Sequence, residues 1–156
     1  MLMKLTESLH LDASPDDVWS LLRDTPRFAD LLPGVESVAP MEEDQGTEAY
    51  AAKVSYKIGP FKVTMNLQVR IAETRETSLL KAAIGGADAN GLNRVTGWMQ
   101  VGLSPAASGT QMNFEASVEV LGKLATLGAV PIRRRTTQLF AEFARNIQAQ
   151  FAKERL

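Results

Sequence analysis

The chain has 156 residues, 45% hydrophobic and 22% charged, with 17 basic residues, 18 acidic residues and a net charge of −1. This composition is typical of one globular domain and excludes the strongly basic character of a nucleic-acid-binding domain. The chain contains no cysteine, which excludes disulfides, thiol catalysis and cysteine-based zinc sites. We therefore expect a single domain over residues 1–156, located in the cytoplasm.

The first quarter of the chain predicts a strand followed by two short helices. Residues 3–11 alternate between apolar and polar side chains, which is typical of a strand with one wet face. A helix begins at Ser14-Pro15, where serine can cap and proline suits the first turn, and it ends before Pro26. A second helical piece over residues 27–32 stops at Pro33-Gly34.

The middle of the chain predicts six strands joined by short turns. The alternation of apolar and polar residues places these strands at residues 35–41, 46–58, 61–74, 79–84, 92–103 and 110–120. Gly59-Pro60 predicts a tight hairpin turn, and the glycine-rich residues 85–91 predict a flexible segment that could gate a cavity.

After residue 122 the apolar residues recur at the spacing of a helix. We expect a short segment over residues 123–129 and a main helix over residues 131–153, because Pro131 removes a backbone donor and must interrupt the pattern.

This order of elements predicts an α+β fold with a seven-stranded antiparallel sheet. Each strand has one apolar face, and the only long apolar element that can pack over these faces is the C-terminal helix. A curled sheet is wider than one helix, so we expect a cavity between them, although a filled core would give the same pattern. The predicted ligand-binding lining is Tyr56, Met65, Leu67, Val95, Met99, Phe114, Val118, Leu139 and Phe143.

Few polar residues are candidates for chemistry. Glu7 shares the apolar side of the first strand, so it either hydrogen-bonds a ligand in the cavity or forms an ordinary ion pair at the rim. His10, the only histidine, falls on the wet face of that strand. We therefore expect neither a transition-metal site nor serine–histidine catalysis, and no catalytic residues.

Two further features are candidates for contact with partners. Arg133, Arg134 and Arg135 could dock acidic lipid head groups or an acidic partner, or could simply face solvent. Trp98 has outward parity on its strand, which fits either an interface or packing against the first helices.

Four stretches between residues 14 and 128, in this order, resemble the carbon monoxide dehydrogenase G-subunit family of the START-like (SRPBCC) superfamily. They are SPDDVWSLLRD, LLPGVESV, VSYKIGPFKVTMNLQVRIAE and GTQMNFEASVEVLGKLATLG. Pro33-Gly34, Gly59-Pro60 and Leu121-Gly122-Lys123-Leu124 are their more specific parts. The resemblance implies a helix-grip fold, in which the seven-stranded sheet curls around the long C-terminal helix and two short helices follow the first strand.

The resemblance also implies a function. Such a protein would be a non-catalytic accessory of a molybdenum hydroxylase of the carbon monoxide dehydrogenase type. It would have no intrinsic cofactor and would bind a hydrophobic molecule, such as a respiratory quinone or another lipid-like ligand. It would work in the cytoplasm or at the inner face of the membrane. One alternative is a START-like cyclase or dehydratase in which Glu7 or Arg94 acts, and another is an assembly factor whose cavity is incidental.

The chain departs from the family pattern in three places. Val63 and Leu67 lie on a strand where the family commonly has glycine, and these larger side chains would narrow a cavity. Pro131 is unusual in the last helix. Some members carry a long C-terminal tail with a membrane-binding segment, whereas this sequence stops five residues after Phe151, so we do not expect tethering by that route.

Overall fold

The structure, a computed structural model, describes residues 1–42 and 46–154. Its helices are α1 (Pro15–Arg23), α2 (Thr25–Ala29) and α3 (Ala129–Glu154), and a 3₁₀ turn at Lys123–Leu127 precedes α3. Pro131 lies in the first turn of α3, where a missing backbone donor costs nothing because no carbonyl is in reach. The predicted short segment before the main helix is present, but Pro131 does not interrupt the helix: the break lies at Gly128, whose φ is +80°, and α3 begins two residues earlier than predicted.

Side-chain caps define the two short helices. The Ser14 hydroxyl accepts a hydrogen bond from the Asp17 backbone N–H at 3.2 Å, as expected for the start of α1. The Asp24 carboxylate accepts one from the Arg27 backbone N–H at 3.5 Å and begins α2 earlier than the predicted residues 27–32. This cap was not predicted, so the bounds predicted for the second helix were wrong.

In the described part of the chain, seven antiparallel strands form one sheet, and every predicted strand is present. Their bounds are β1 (Leu2–Leu11), β2 (Val35–Pro40), β3 (Ala49–Ile58), β4 (Phe61–Arg75), β5 (Leu79–Ala87), β6 (Asn93–Pro105) and β7 (Thr110–Gly122). The strand predicted at residues 46–58 corresponds to β3, which begins three residues later, at Ala49. Residues 43–45 lie outside the described part of the chain. Gly59-Pro60 forms the predicted two-residue hairpin, with Ile58 paired to Phe61.

The sheet curls around α3. The strand order is β1-β7-β6-β5-β4-β3-β2, so four strands separate β1 from β3. Both β1 and β3 nevertheless contact α3, which requires the sheet to bend around the helix. All three helices therefore lie on one concave side.

The predicted flexible segment at residues 85–91 is only partly a turn. β5 continues through Ala87, and Gly86 pairs with Leu67 on one side and Val95 on the other. A Cβ atom on Gly86 would lie 2.2 Å from the Asn66 carbonyl oxygen, so glycine here permits close strand approach rather than flexibility. The turn itself is fixed by Asn93, whose side-chain amide donates to Asp88 at 2.9 Å.

Two hydrophobic clusters fill most of the concave side. One joins α1, α2 and the C-terminal half of α3 to β1, β5, β6 and β7, and its buried members include Leu11, Met112 and Ile147. The other joins the 3₁₀ turn and the start of α3 to the opposite end of the sheet, around Val54 and Met65. Any ligand space must therefore lie at the margins of these clusters.

Gly34, just before β2, provides a test of this packing. Its φ is +80°, and a Cβ atom there would lie 2.2 Å from Cε1 of Tyr56. We expect Gly34→Ala to lower the free energy of unfolding by more than the roughly 1–2 kcal/mol of left-handed backbone strain, because the Tyr56 ring must also move. Gly91→Ala is the control, since Gly91 also has a positive φ, +69°, and no atom within 4 Å of the added carbon. Equal losses for both variants in urea unfolding would show that the Tyr56 contact carries no energy.

Candidate functional site

An apolar cavity of about 180 Å³ lies on the concave side of the sheet, beneath α2. Phe28 and Ala29 of α2 and Leu22 of α1 form its roof. Strands β2 to β7 form its floor through Val35, Val38, Tyr50, Ala52, Val69, Ile71, Leu80, Ala82, Met99, Val101 and Phe114. The space lies between the two short helices and the sheet.

The nine apolar residues of the predicted lining fall into three groups. Met99 and Phe114 line the cavity. Phe143 is buried in the first hydrophobic cluster, directly behind Phe114, and Leu139 is half-buried on α3. Five others pack into the second cluster and do not line the cavity: Tyr56, Met65, Leu67, Val95 and Val118. They face the concave side as predicted, but other side chains fill the space in front of them.

The predicted position of the cavity was therefore wrong. We expected it between the sheet and the C-terminal helix, but no residue of α3 lines it. Phe140 and Phe143 fill that space, with ring centroids 5.3 and 5.6 Å from Phe114. The five-residue α2 covers its part of the sheet less completely, and the gap remains there.

Neither of the groups that the enzymatic alternative requires faces the cavity. Glu7 is half-buried on β1, paired with Phe114 in register, and it lies outside the lining. Arg94 is exposed on the convex face of β6, next to the concave-facing Val95. Among residues 1–42 and 46–154, no group of three or more His, Cys, Asp or Glu could hold a metal ion.

A polar mouth connects the cavity to the surface. Arg23, Thr25, Val38 and Tyr50 line both the cavity and an outer groove of about 310 Å³ that Asp24, Pro26 and Pro40 complete. We call these four shared residues the mouth. Three of them carry hydrogen-bonding side chains, so the donors of this site are concentrated at its open end.

Glu48 holds two of the mouth side chains in place. Nη2 of Arg23 donates to Oε1 of Glu48 at 2.6 Å, and the Tyr50 hydroxyl donates to Oε2 at 2.5 Å. The Glu48 carbonyl accepts from the Ile71 backbone N–H at 2.9 Å, which anchors this residue next to the sheet. Charge-assisted bonds of this kind orient both donors at the mouth.

The same contacts shift two pKa values in opposite directions. Burial and the hydrogen bond to Glu48 raise the pKa of the Tyr50 phenol, which therefore stays protonated and able to donate. Burial works against ionisation of Glu48, but the hydrogen bonds from Tyr50 and Arg23 outweigh it and lower the pKa of the carboxyl below 4.5. Around neutral pH the mouth thus holds a charged carboxylate, a guanidinium and a neutral phenol.

The lowered pKa of Glu48 predicts a pH-dependent contribution to stability. The carboxylate stabilises the fold above its unfolded-state pKa, near 4.5, and this contribution disappears as pH falls through the lower folded-state value. We expect Glu48→Gln to destabilise the protein by up to about 1 kcal/mol at pH 7, because the pair is partly exposed. In urea unfolding the difference between wild type and variant is expected to shrink from pH 6 to pH 3. A difference that stays constant or grows on acidification would contradict this assignment.

The surface features behave largely as predicted. His10 is exposed on β1, with its ring against the Ser108 carbonyl oxygen. Trp98 faces outward from β6, with the Lys81 amine 5.0 Å from its ring centroid. Arg133 and Arg134 are exposed, but Arg135 folds back on the end of β3 and donates from Nε to the Lys57 carbonyl oxygen at 3.0 Å. Among the described residues, no helix is long and apolar enough to cross a membrane.

The mouth residues were not among the predicted site residues. Tyr50 was recognisable from its concave parity on β3, together with Ala52. Arg23 and Thr25 gave no signal, because they stand at a helix junction whose position over the sheet is set by tertiary packing.

Solved structures share this fold. A conserved protein from Geobacillus kaustophilus is 24% identical, with a TM-score of 0.84, and the match covers 97% of this chain and 96% of that one. An uncharacterised protein from Rhizobium leguminosarum is 12% identical, with a TM-score of 0.72 and coverage of 98% and 96%. The di-domain ARO/CYC protein StfQ of the steffimycin biosynthetic pathway is 16% identical, with a TM-score of 0.64, over 99% of this chain and 52% of StfQ. At these identities the likeness shows the fold alone.

A comparison with curated proteins found no match. Among protein families, that of the G subunit of carbon monoxide dehydrogenase (CoxG) matches residues 8–152. The chain belongs to the CoxG family. The predicted family and the predicted helix-grip, START-like fold are therefore confirmed. In this member of the CoxG family, the cavity lies beneath α2 and has the Arg23–Glu48–Tyr50 cluster at its mouth.

Proposed function

We propose that this protein binds a hydrophobic small molecule in the cavity beneath α2 and that it has no catalytic activity of its own. The observation that carries the proposal is the combination of an apolar interior with hydrogen-bond donors gathered at one open end. Ligand pockets commonly have this arrangement, in which apolar walls supply affinity and a few polar groups fix orientation.

The volume supports a ligand with a compact ring. A cavity of about 180 Å³ exceeds the roughly 150 Å³ apolar cavity that suffices for benzene. A longer chain attached to the ring would extend through the mouth into the outer groove. We infer that one ring system enters the interior, next to Met99 and Phe114.

The mouth supports a ligand that carries hydrogen-bond acceptors. Tyr50 gives its single O–H to Glu48, whereas Arg23 retains N–H groups beyond the one that contacts Glu48, so Arg23 supplies the donors that a ligand can use. A respiratory quinone has an apolar ring with carbonyl acceptors on its rim, so it satisfies both requirements. We propose a quinone as the ligand.

Family membership supports the partner. The name of the CoxG family associates its members with carbon monoxide dehydrogenase. We propose that this chain serves a molybdenum hydroxylase of that type in the cytoplasm. A bound quinone would carry electrons between the enzyme and the inner face of the membrane.

The test has two parts. Organic extraction and mass spectrometry of freshly purified protein are expected to recover a quinone or a related lipid-like molecule. Titration of the emptied protein with 1,4-naphthoquinone in a calorimeter is expected to saturate at one molecule per chain. Protein that holds nothing after purification and gives no saturable binding would refute the proposal.

Arg23→Met and Tyr50→Phe test the role of the mouth. Arg23→Met removes the donors that a ligand can use, and Tyr50→Phe removes one of the two hydrogen bonds that hold Glu48 beside Arg23. We expect both variants, and Arg23→Met more strongly, to weaken naphthoquinone more than naphthalene, which has the same ring system without the carbonyls. Co-purification with a molybdenum enzyme that persists in a variant unable to bind quinone would instead favour the assembly-factor alternative.

A further inference from the structure

Several separate segments meet at the end of the molecule that is opposite the mouth. They are residues 1–4, the β3–β4 turn at 57–62, the β5–β6 turn at 88–95, and residues 117–135, which run from the end of β7 into α3. The contacts between them are direct: Leu2 pairs with Glu119, Asn93 pairs with Gly122, and Arg135 bonds the Lys57 carbonyl oxygen. We call these four segments the basic end.

Charge is strongly concentrated there. The basic end contains eight of the 17 Lys and Arg residues: Lys4, Lys57, Lys62, Arg94, Lys123, Arg133, Arg134 and Arg135. It contains two of the 18 acidic residues, Asp88 and Glu119, so nine basic and 16 acidic residues remain in the rest of the sequence. A chain with a net charge of −1 thus has a cationic end and an anionic remainder.

Exposed apolar side chains are concentrated at the same end. Among residues 1–42 and 46–154, five large hydrophobic side chains are exposed, and four lie here: Leu2 (60%), Leu92 (53%), Leu121 (45%) and Val130 (67%). Leu92 lies in the β5–β6 turn, and Val130 in the first turn of α3 next to Arg133 and Arg134. Leu121 pairs with Arg94 between β7 and β6, and Leu2 lies two residues from Lys4 on β1, so exposed aliphatic side chains have cations beside them.

We propose that the basic end docks on an anionic lipid surface. Lysine and arginine are attracted to acidic head groups, and exposed leucine and valine side chains can enter the boundary between head groups and acyl chains. A protein partner is less well matched, because protein interfaces are enriched in tyrosine and tryptophan and depleted in lysine. Lysine supplies four of the eight cations here, and all four exposed apolar side chains are aliphatic.

Docking by this end leaves the ligand mouth accessible. Tyr50 at the mouth and Lys57 at the basic end lie on the same strand, seven residues apart, which corresponds to about 23 Å. A protein held by its basic end would therefore present its mouth away from the lipid, towards the soluble enzyme, and a quinone bound there would reach the membrane only after the protein leaves this surface. The docking surface is independent of the cavity, so it stands whether or not the cavity binds a quinone.

Vesicle sedimentation tests the proposal directly. The full chain is mixed with vesicles of equal parts phosphatidylglycerol and phosphatidylcholine, and in parallel with vesicles of phosphatidylcholine alone. We expect binding to the anionic vesicles and at least tenfold weaker binding to the neutral ones. Raising the salt from 0.05 M to about 0.5 M is expected to weaken the anionic binding strongly, because exposed charges are screened.

Paired variants identify the surface. Arg133→Ser combined with Arg134→Ser removes two exposed charges from the basic end. The loss of each charge is expected to lower the affinity for anionic vesicles about fivefold. Arg145→Ser combined with Lys153→Ser removes the same net charge from the distant part of the same helix and is expected to leave binding within twofold. Val130→Ser is expected to weaken binding severalfold at both salt concentrations, because its contribution is apolar.

Two results would overturn the proposal. One is wild-type protein that does not sediment with anionic vesicles at low salt. The other is equal loss in the two double variants, which would reflect net charge rather than this surface. Circular dichroism and naphthoquinone titration without vesicles are expected to be unchanged in both double variants, so a failure of docking stays separate from a failure of ligand binding.

Discussion

Ala52→Phe is expected to weaken naphthoquinone binding at least 100-fold, which corresponds to about 2.7 kcal/mol. Ala52 lies on β3 between Val38 and Leu67 and lines the cavity. A phenyl ring at this position would occupy the space that the ligand needs. Because that space is already empty, we expect the free energy of unfolding to change by less than the roughly 1–3 kcal/mol that overpacking a filled core costs.

The neighbouring residue supplies the control for this variant. Ala51 is exposed on the opposite face of β3, so Ala51→Phe adds the same ring to the same strand without entering the cavity. Affinity in this variant is expected to stay within twofold of wild type by calorimetry. Undiminished affinity in Ala52→Phe would place the ligand elsewhere on the molecule.

Phe143→Ala is expected to lower the free energy of unfolding by about 3–5 kcal/mol. Phe143 is 3% exposed, and its ring centroid lies 5.6 Å from those of both Phe28 on α2 and Phe114 on β7. It therefore joins α3 to the roof and the floor of the cavity. In a chain of this length we expect the melting temperature to fall by about 6–20 °C.

Phe140→Ala is the matched comparison on the same helix. Phe140 contacts Phe114 and Phe143 but is only partly buried, so its removal is expected to cost clearly less than the removal of Phe143. Urea unfolding of both variants measures the difference. A loss below about 1 kcal/mol for Phe143→Ala would show that the aromatic cluster does not hold α3 and α2 together.

Much of the fold was predictable because a strand has a period of two residues. The alternation from Phe61 to Ile71 assigned each side chain of β4 to a face, and the observed pairing with β3 and β5 keeps that assignment. Helix starts were predictable where a capping serine precedes proline, as at Ser14-Pro15. The sequence also identified the family, which the match over residues 8–152 confirms.

The position of the cavity was not predictable in the same way. Periodicity shows which residues face the concave side, but not which of them meet a partner across it. Met65 and Met99 both face that side, yet Met65 is covered by the second hydrophobic cluster and Met99 borders open space. The difference arises from where α2 and the aromatic side chains of α3 rest, which depends on the whole tertiary packing.

These two methionines give the most direct test of ligand binding beneath α2. The protein is labelled at the methionine methyl groups and titrated with 1,4-naphthoquinone, and the methyl resonances are assigned with Met65→Leu and Met99→Leu. Ring-current shifts are expected for Met99, which lines the cavity, while Met65 stays unchanged. A shift of Met65 without Met99, or no shift of either at saturating quinone, would contradict the account.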